Sequence, residues 1–339
     1  MGETLSLTIP SRGRISDHTI EFLARCGMGI LRPNHKQYSA TVPSMPDVRV
    51  HLQRAADIID QISDGNADIG ITGYDLFLEH RREGSEVVVL HEDLGFSRAR
   101  LELAVPDSWV DVSHVNDLAE LALIFRREGR DLRVATSYPH LVRDFLLDRS
   151  INNFGLTETG GSVEAAPALG SADIIADIVE TGTALAENRL KTLAAGTILK
   201  SNACVVGNAV ILRESRGKRA ITRQVLELID AHLDGKNAFT LTANVRGGSE
   251  AEVARLVLDK SELAGIEGPS ISKVYSKSAD SLTSWYAISV TVQSESLLSA
   301  VDHFRSIGAS SVIARPASYV FLEASRSYKN LLQTLGLTS

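Results

Sequence analysis

A carboxylate followed by a hydroxyl-rich turn is the segment of this sequence best suited to chemistry. Asp177 lies near the end of an apolar strand pattern. The turn after it consists of Glu180, Thr181, Gly182, Thr183 and Ala184. Successive backbone N–H groups at a helix start, together with threonine hydroxyls, are donors for the oxygens of a phosphate monoester. A glycine lets the backbone approach closely, and Asp177 could accept hydrogen bonds from two neighbouring hydroxyls. The segment therefore suits a ribose 5-phosphate.

The same residues have a purely structural alternative. They match neither a Walker loop, which needs a Gly-Lys pair, nor a dinucleotide fingerprint, which needs Gly-x-Gly-x-x-Gly. Threonine is also a common helix cap. A strand–turn–helix junction without a ligand therefore explains the segment equally well when it is taken alone.

Alternating strand and helix patterns predict two layered α/β lobes that hold this segment. In the first lobe, strands are predicted at 5–9, 68–72 and 87–90, and helices at 55–63 and 75–82. In the second lobe, strands are predicted at 101–105, 133–136 and 173–179, and helices at 116–127 and 139–148. The predicted first lobe comprises 1–98 with 190–220, and the second comprises 99–189. The first lobe is thus discontinuous in sequence, and a cleft separates the two.

A different order of elements follows near residue 236. Strands are predicted at 238–245, 271–276, 285–293 and 311–322, and helices at 249–262 and 295–307. The order β-α-β-β-α-β is typical of a ferredoxin-like α+β module, which is common in ligand-binding and regulatory proteins. The sequence therefore predicts a further domain over 236–339.

Composition excludes several classes of protein. Of the 339 residues, 44% are apolar and 23% are charged, which is ordinary for a soluble globular protein. No apolar run reaches the roughly 18–20 residues of a membrane-spanning helix, so no membrane partner is expected. The net charge of −7 argues against nucleic acid as a partner.

The cysteines and histidines indicate neither a disulfide framework nor a metal centre. The two cysteines, Cys26 and Cys204, and the nine histidines show no paired or metal-ligand spacing. The first residues are too polar for an export signal. A cytoplasmic location is therefore expected, and the metal ligands, if any, stay unassigned.

Several strings in one order resemble the ATP phosphoribosyltransferase family, the first enzymes of histidine biosynthesis. The strongest is residues 161–185, which resemble the signature region of that family. Further matching strings are Arg54 with Asp57, 64–75, Asp93-Leu94-Gly95, 103–106, 133–136, Tyr138-Pro139 and Ser201-Asn202-Ala203. Weaker matches at 268–272, 307–309 and 312–321 resemble the regulatory domain of the long form. One departure is Pro10-Ser11-Arg12-Gly13-Arg14, where many members have Pro-Lys-Gly-Arg.

This resemblance implies both an architecture and a reaction. The catalytic lobes would have a periplasmic-binding-protein-like fold, followed by the ferredoxin-like domain. The reaction would transfer a phosphoribosyl group from phosphoribosyl pyrophosphate to N1 of the adenine of ATP, with Mg²⁺ on the pyrophosphate. The extra domain implies feedback inhibition by histidine and a homo-oligomer, a dimer or hexamer.

Roles for individual residues follow as expectations. Asp177 is expected to bind the ribose hydroxyls, and 180–184 to form the 5-phosphate loop. Arg14 and Arg54 are expected to neutralise pyrophosphate or the ATP phosphates, because both substrates are polyanions. The remaining cleft candidates are Arg12, Arg32, Glu164 and Asp75.

Two other functions are compatible with a two-lobed chain. The first is an amino-acid binding or sensor protein without catalysis, since a cleft between two lobes also describes solute receptors. The second is a catalytically reduced relative that serves as a regulatory subunit. In both, the juxtaposition of Asp177 with Thr-Gly-x-Thr would have no purpose.

Overall fold

The computed structural model describes a chain of two compact units. The described residues are 3–34, 37–82, 84–158, 162–260, 268–275 and 284–337, without the side chains of Arg14 and Glu158. The first unit comprises Met1–Thr222 and Asn330–Ser339, and the second comprises Arg223–Lys329. No helix within these described ranges is long and apolar enough to cross a membrane.

The strands and helices alternate through the first unit and change order in the second. The strands are β1 (Leu5–Pro10), β2 (Ser39–Thr41), β3 (Val48–Gln53), β4 (Ile69–Gly73), β5 (Val87–His91), β6 (Ala99–Pro106), β7 (Leu132–Thr136), β8 (Phe154–Glu158), β9 (Ile174–Val179), β10 (Leu190–Ser201), β11 (Ala203–Asn208), β12 (Ala238–Gly247), β13 (Ser270–Val274), β14 (Ser284–Gln293) and β15 (Val312–Pro316). The helices are α1 (Arg14–Arg25), α2 (Ile58–Ser63), α3 (Tyr74–His80), α4 (Val115–Arg127), α5 (Pro139–Asp148), α6 (Thr183–Glu187), α7 (Ala209–Glu214), α8 (Arg216–Lys236), α9 (Glu250–Leu258), α10 (Leu297–Ser306) and α11 (Arg326–Thr334).

The first lobe is built on a six-stranded sheet in the order β2-β3-β1-β4-β11-β5. Strand β1 pairs in parallel with β3 and with β4, whereas β11 runs antiparallel to β4 and β5. Every residue of β4 and β11 is buried, as expected for central strands covered on both faces. By contrast, β3 alternates buried and exposed positions, in keeping with its place near the sheet edge.

The second lobe is built on a five-stranded sheet in the order β10-β6-β9-β7-β8. Strand β9 is parallel to β7 and antiparallel to β6. Leu101, Leu103 and Ile174 belong to a buried cluster with α4 and α5, on one face. On the other face Ile175 and Leu185 belong to a second cluster, which anchors α6. Helices thus pack against both faces of this sheet.

The boundary of the second lobe differs from the prediction. The sequence predicts that 190–220 returns to the first lobe, but β10 pairs along its length with β6 of the second lobe. The return begins only at Ala203, the start of β11. Strand β10 has no strict alternation, because its register shifts between Thr192 and Thr197 and again before Leu199. Such register shifts interrupt the alternation of apolar and polar residues by which a strand is predicted.

Two short segments cross between the lobes side by side. One runs from the end of β5 to β6, and the other is Asn202, between β10 and β11. The N–H of Leu94 donates to Ala203 O at 2.9 Å, and the N–H of Ala203 donates to Phe96 O at 3.1 Å. The two lobes are thus joined by a paired crossover, and the periplasmic-binding-protein-like arrangement predicted from the sequence is confirmed.

The second unit contains the predicted ferredoxin-like module. Its sheet has the order β13-β14-β12-β15, with α9 following β12 and α10 following β14. Phe304 and Ile288 are fully buried in its core. The last strand ends at Pro316 rather than 322. The predicted domain 236–339 is also too long at its end, because Asn330–Ser339 groups with the first unit.

The last residues pack through one apolar side of a short helix. In and just after α11, Leu331, Leu332 and Leu335 are buried. The Arg213 guanidinium Nε donates to Leu335 O at 3.4 Å. Gly336, at φ 67°, ends the helix in the left-handed conformation.

Candidate functional site

The carboxyl ends of the parallel strands form one edge of each lobe, where α/β proteins bind their ligands. In the first lobe, Ser11 follows β1 and Arg54 follows β3, and the Ser11 N–H donates to Gln53 O at 2.7 Å. This pairing brings Arg12 and Arg54 to adjacent positions along the edge, and both residues are exposed. The structure therefore places two of the predicted cations just beyond the same end of two paired strands, β1 and β3.

The other two predicted arginines, Arg14 and Arg32, follow these strand ends in different ways. Arg14 begins α1 directly after Gly13, which has φ 78°, but its side chain lies outside the described residues. Arg32 is half-buried, and its Nε donates to Gln37 O at 2.7 Å. Arg32 therefore has a structural contact to the backbone of Gln37, besides the substrate-binding role that the sequence predicts for it.

The predicted phosphate loop lies at the carboxyl end of β9. Gly182 adopts φ 81° and ψ −2° and precedes the first turn of α6. Thr181 and Thr183, both exposed, have their hydroxyl oxygens 3.0 Å apart. The first helical hydrogen bond is donated by the Ala186 N–H to Gly182 O, so the N–H groups before it have no partner within the helix. Of these, the Thr183 N–H makes a long contact of 3.5 Å to the Thr181 hydroxyl oxygen. The loop thus presents hydroxyls and backbone donors at one exposed point.

Asp177 is a desolvated carboxylate three residues before this loop. Burial raises its pKa to about 6, the Ile178 N–H at 2.8 Å from Oδ1 counteracts the rise, and the nearby Glu164 carboxylate adds to it. Glu164 is half-buried in a short 3₁₀ turn, Val163–Ala165. Two predicted site residues are therefore close enough to interact electrostatically. A carboxylate with little water around it is suited to accept hydrogen bonds from a ligand.

Asp75 does not occupy the open cleft that the sequence predicts for it. It is 8% exposed, and both of its oxygens accept hydrogen bonds. The Ser201 hydroxyl donates to Oδ1 at 2.5 Å, and the Tyr138 hydroxyl donates to Oδ2 at 2.6 Å. Burial and then the Asp75 charge raise the pKa of Tyr138, which keeps it a donor. Asp75 is thus a link from the first lobe to the second, and we correct its assignment as a substrate-binding residue.

A second buried carboxylate on the same helix makes a further link between the lobes. Glu79 is 4% exposed, and its Oε1 accepts from the His140 N–H and lies 2.9 Å from the His140 Nδ1. Its Oε2 accepts from the Leu141 N–H at 3.0 Å. Glu79 of α3 therefore caps the N-terminus of α5 in the other lobe. Sequence reasoning missed Glu79, although its spacing of four residues from Asp75 puts both carboxylates on one helix face.

A cavity of about 440 Å³ opens beside the phosphate loop, where the crossover meets the second sheet. It is lined by Arg98, Ala99, Arg100, Val179, Glu180, Lys200, Ser201 and Asn202. Three of these residues are cationic. Sequence reasoning missed all three, because isolated basic residues at strand ends look like ordinary surface charges.

The sequence matches two models of known families. The model described as ATP phosphoribosyltransferase matches residues 54–231, and the model described as HisG, C-terminal domain matches 236–318. A curated relative, ATP phosphoribosyltransferase 2, chloroplastic, of Arabidopsis thaliana is 36% identical over 337 residues, which cover 99% of this chain and 81% of that protein. The chain belongs to the ATP phosphoribosyltransferase family.

Members from bacteria and a solved structure agree with this assignment. The ATP phosphoribosyltransferase of Bradyrhizobium sp. is 36% identical over 236 residues, covering 68% of this chain and 71% of that protein. The solved structure entitled ATP phosphoribosyl transferase (HisG:HisZ) complex from Thermotoga maritima is 26% identical with a TM-score of 0.52. It covers 67% of this chain and 98% of that chain. The family resemblance predicted from the motifs is therefore confirmed, including the C-terminal domain.

Gly182 offers a test of why the loop needs a glycine. A Cβ built on Gly182 meets nothing within 4 Å, so a side chain there would be strained by φ 81° but would fit. We expect Gly182→Ala to cost about 1–2 kcal/mol of stability from left-handed strain, whereas Gly182→Asn costs less because asparagine tolerates this conformation. Both should weaken phosphoribosyl pyrophosphate binding if a ligand occupies the open space.

Two measurements separate these effects. Urea unfolding reports the loss of stability, and titration calorimetry with phosphoribosyl pyrophosphate reports the loss of affinity. If Gly182→Asn bound phosphoribosyl pyrophosphate with the affinity of the wild type, backbone strain rather than close approach of the ligand would be the reason for the glycine. Gly129→Ala is the matched control, because Gly129 has φ 84°, also has open space around it and lies far along the chain at the end of α4.

Proposed function

We infer that this chain is an ATP phosphoribosyltransferase, which transfers the phosphoribosyl group of phosphoribosyl pyrophosphate to N1 of ATP in the first step of histidine biosynthesis. The observation that carries the conclusion is the family match over nearly the whole chain. The desolvated Asp177 followed by the left-handed Gly182 loop supports it at the level of the site.

The reaction requires one displacement at the anomeric carbon of the ribose. The adenine N1 lone pair forms the new bond to this carbon, the bond from the carbon to the pyrophosphate oxygen breaks, and its electron pair leaves with pyrophosphate. Positive charge develops on the sugar and negative charge on the leaving group. Positioning and electrostatic stabilisation therefore account for catalysis without a covalent nucleophile.

The proposed roles divide between the two lobes. In the second lobe, Asp177 accepts hydrogen bonds from the ribose hydroxyls, residues 180–184 hold the 5-phosphate, and Glu164 lies beside Asp177. In the first lobe, the cations that stabilise negative charge on the phosphates are Arg12, Arg14, Arg32 and Arg54. Support comes from the exposed strand-edge positions of Arg12 and Arg54 and from the environment of Asp177.

Magnesium is proposed to arrive with the substrates. Within the described ranges, no group of three or more His, Cys, Asp or Glu side chains could hold a metal ion. A protein-built magnesium cage does not fit this part of the chain. Mg²⁺ keeps several waters and binds readily to phosphate oxygens, so the pyrophosphate is its natural ligand here.

Regulation, assembly and location complete the proposal. Histidine is proposed to bind the ferredoxin-like domain as a feedback inhibitor, and the chain to form a homo-oligomer, a dimer or hexamer. The match of residues 236–318 to the C-terminal family domain supports both. A cytoplasmic location is supported by the two free, buried cysteines, Cys26 and Cys204, which are typical of a reducing compartment.

A turnover assay tests the proposed activity. Purified protein with ATP, phosphoribosyl pyrophosphate and Mg²⁺ is expected to form the phosphoribosylated nucleotide, seen as a rise in absorbance, and to release pyrophosphate. Omitting either substrate should abolish the signal. Added histidine should reduce the rate. Absence of turnover at several salt concentrations, with and without histidine, would overturn the assignment.

A further inference from the structure

Three basic residues around one cavity are not used by the roles described so far. Arg98 immediately precedes β6, Arg100 is the second residue of β6, and Lys200 lies near the end of β10. All three are exposed at the cavity of about 440 Å³ beside the phosphate loop. A cavity of this size is within the range of small-molecule sites.

Two of the positive charges face each other across the sheet. Lys200 and Arg100 are directly paired residues of the antiparallel ladder between β10 and β6. Paired residues have their side chains on one face about 4.5–5.5 Å apart at Cβ, where like charges repel and destabilise the sheet. Arg100 is partly compensated, because its Nε lies 2.8 Å from the buried Glu102 carboxylate. For the Lys200 ammonium, no ion-pair partner is found among the residues with described side chains.

The spacing of the cations favours an anion with separated charges. Neighbouring strands lie about 4.8 Å apart, and residues two apart on one strand lie about 7 Å apart. Arg98 has an ion pair with Asp93 at 3.2 Å, but the two side chains are 74% and 43% exposed, so this pair contributes little and is readily exchanged. Linked phosphoryl groups offer three cations more acceptor oxygens, spread over a greater length, than a single carboxylate does. Asn202 adds an amide donor at the same wall.

We propose that Arg98, Arg100 and Lys200 form a pocket for the polyphosphate group of a substrate. The proposal rests on the proposed function, which supplies two sources of this chemistry, the pyrophosphate of phosphoribosyl pyrophosphate and the triphosphate of ATP. The cavity shares Glu180 with the phosphate loop, so a bound sugar phosphate and a bound polyphosphate would be neighbours. The pocket supplements the proposed phosphate-binding arginines of the first lobe.

Calorimetric titration of the full-length protein with inorganic pyrophosphate tests the pocket. Lys200→Gln is expected to weaken pyrophosphate binding by about tenfold or more, as for a lost charge-assisted hydrogen bond. Lys200→Arg should restore most of the affinity, and Arg98→Gln should weaken it in the same direction. Arg100 is left intact because its removal would strand the buried Glu102. Arg127→Gln, an equal charge change at an exposed position in the last turn of α4, is the control.

Steady-state kinetics of the same variants distinguish the pyrophosphate of phosphoribosyl pyrophosphate from the triphosphate of ATP. They also separate failure of the pocket from failure of the proposed function. A rise in KM for phosphoribosyl pyrophosphate alone identifies the pyrophosphate, and a rise for ATP without a change in AMP binding identifies the triphosphate. If the wild type turns over while Lys200→Gln and Arg98→Gln bind pyrophosphate within twofold of it and keep both KM values, the pocket is wrong. If the wild type does not turn over, the proposed function fails independently of pyrophosphate binding.

Discussion

Replacing Asp177 by asparagine is expected to lower kcat/KM for phosphoribosyl pyrophosphate by about 100-fold or more. The amide keeps the shape of the side chain but removes the charge that the ribose hydroxyls and the positive anomeric carbon would meet. The wild-type pKa of about 6 implies that kcat/KM rises as pH increases through 6, when the carboxylate ionises. Asp177→Asn should lose this dependence.

The substrate also titrates in this pH range, so the experiment needs a control variant that shows the substrate's share of the pH profile. Phosphate monoesters have a pKa of about 6. Asp148→Asn, an exposed change at the end of α5, retains that share and should leave kcat/KM unchanged. A rate for Asp177→Asn within about threefold of wild type would exclude a direct role for the carboxylate.

The same substitution is expected to stabilise the fold at neutral pH. The folded-state pKa of Asp177, about 6, is above the unfolded value of about 3.9. Its contribution to the free energy of unfolding is therefore fully present below about pH 4 and is lost as pH rises through 6. Asparagine does not ionise, so at pH 8 we expect a gain of about 1–2 kcal/mol in urea unfolding. Lower activity with higher stability is the signature of a group held for function.

Replacing Glu79 by alanine is expected to have the largest effect on the arrangement of the lobes. Glu79 is 4% exposed, and its loss leaves the N–H groups of His140 and Leu141 without their acceptor. We expect a loss of about 2–4 kcal/mol in the free energy of unfolding. The rate should fall as well, because the two halves of the proposed site lie on different lobes, whereas the proposed contacts to each substrate stay intact.

Urea unfolding and hydrogen exchange at the first turn of α5 provide the measurements. Glu79→Gln keeps one acceptor oxygen and should fall between wild type and Glu79→Ala. Glu21→Ala is the control, since Glu21 pairs with Arg25 on the exposed face of α1 and its loss should change stability by less than about 0.5 kcal/mol. Unchanged exchange in α5 with Glu79→Ala would show that the capping contact carries no stability.

The elements with strong periodicity were predictable, and those without it were not. Helix α5 occupies 139–148, as predicted, because proline opens it and its apolar residues share one face. Strand β10 was missed because its register shifts. Strand β3 was also missed, although Val48, Val50 and Leu52 alternate with polar residues. That signal was present in the sequence.

The site was predictable where local sequence determines it and not where partners come from far along the chain. The Thr-Gly-x-Thr turn is contained in a few residues, and Gly182 has the left-handed conformation that a glycine there suggests. Asp75 was taken for a cleft residue because its partners, Ser201 and Tyr138, are 126 and 63 positions away. Likewise, the cationic cavity requires the pairing of β6 with β10, which no local pattern predicts.

The burial of the last leucines has a consequence for the order in which the protein matures. Leu331, Leu332 and Leu335 belong with the unit that begins at Met1, although Arg223–Lys329 lies between them in the chain. A ribosome therefore releases the ferredoxin-like module before it releases the residues that complete the earlier unit. Contacts at such sequence separation form late and slowly. The first unit thus reaches its final packing only after residues 330–335 have been synthesised.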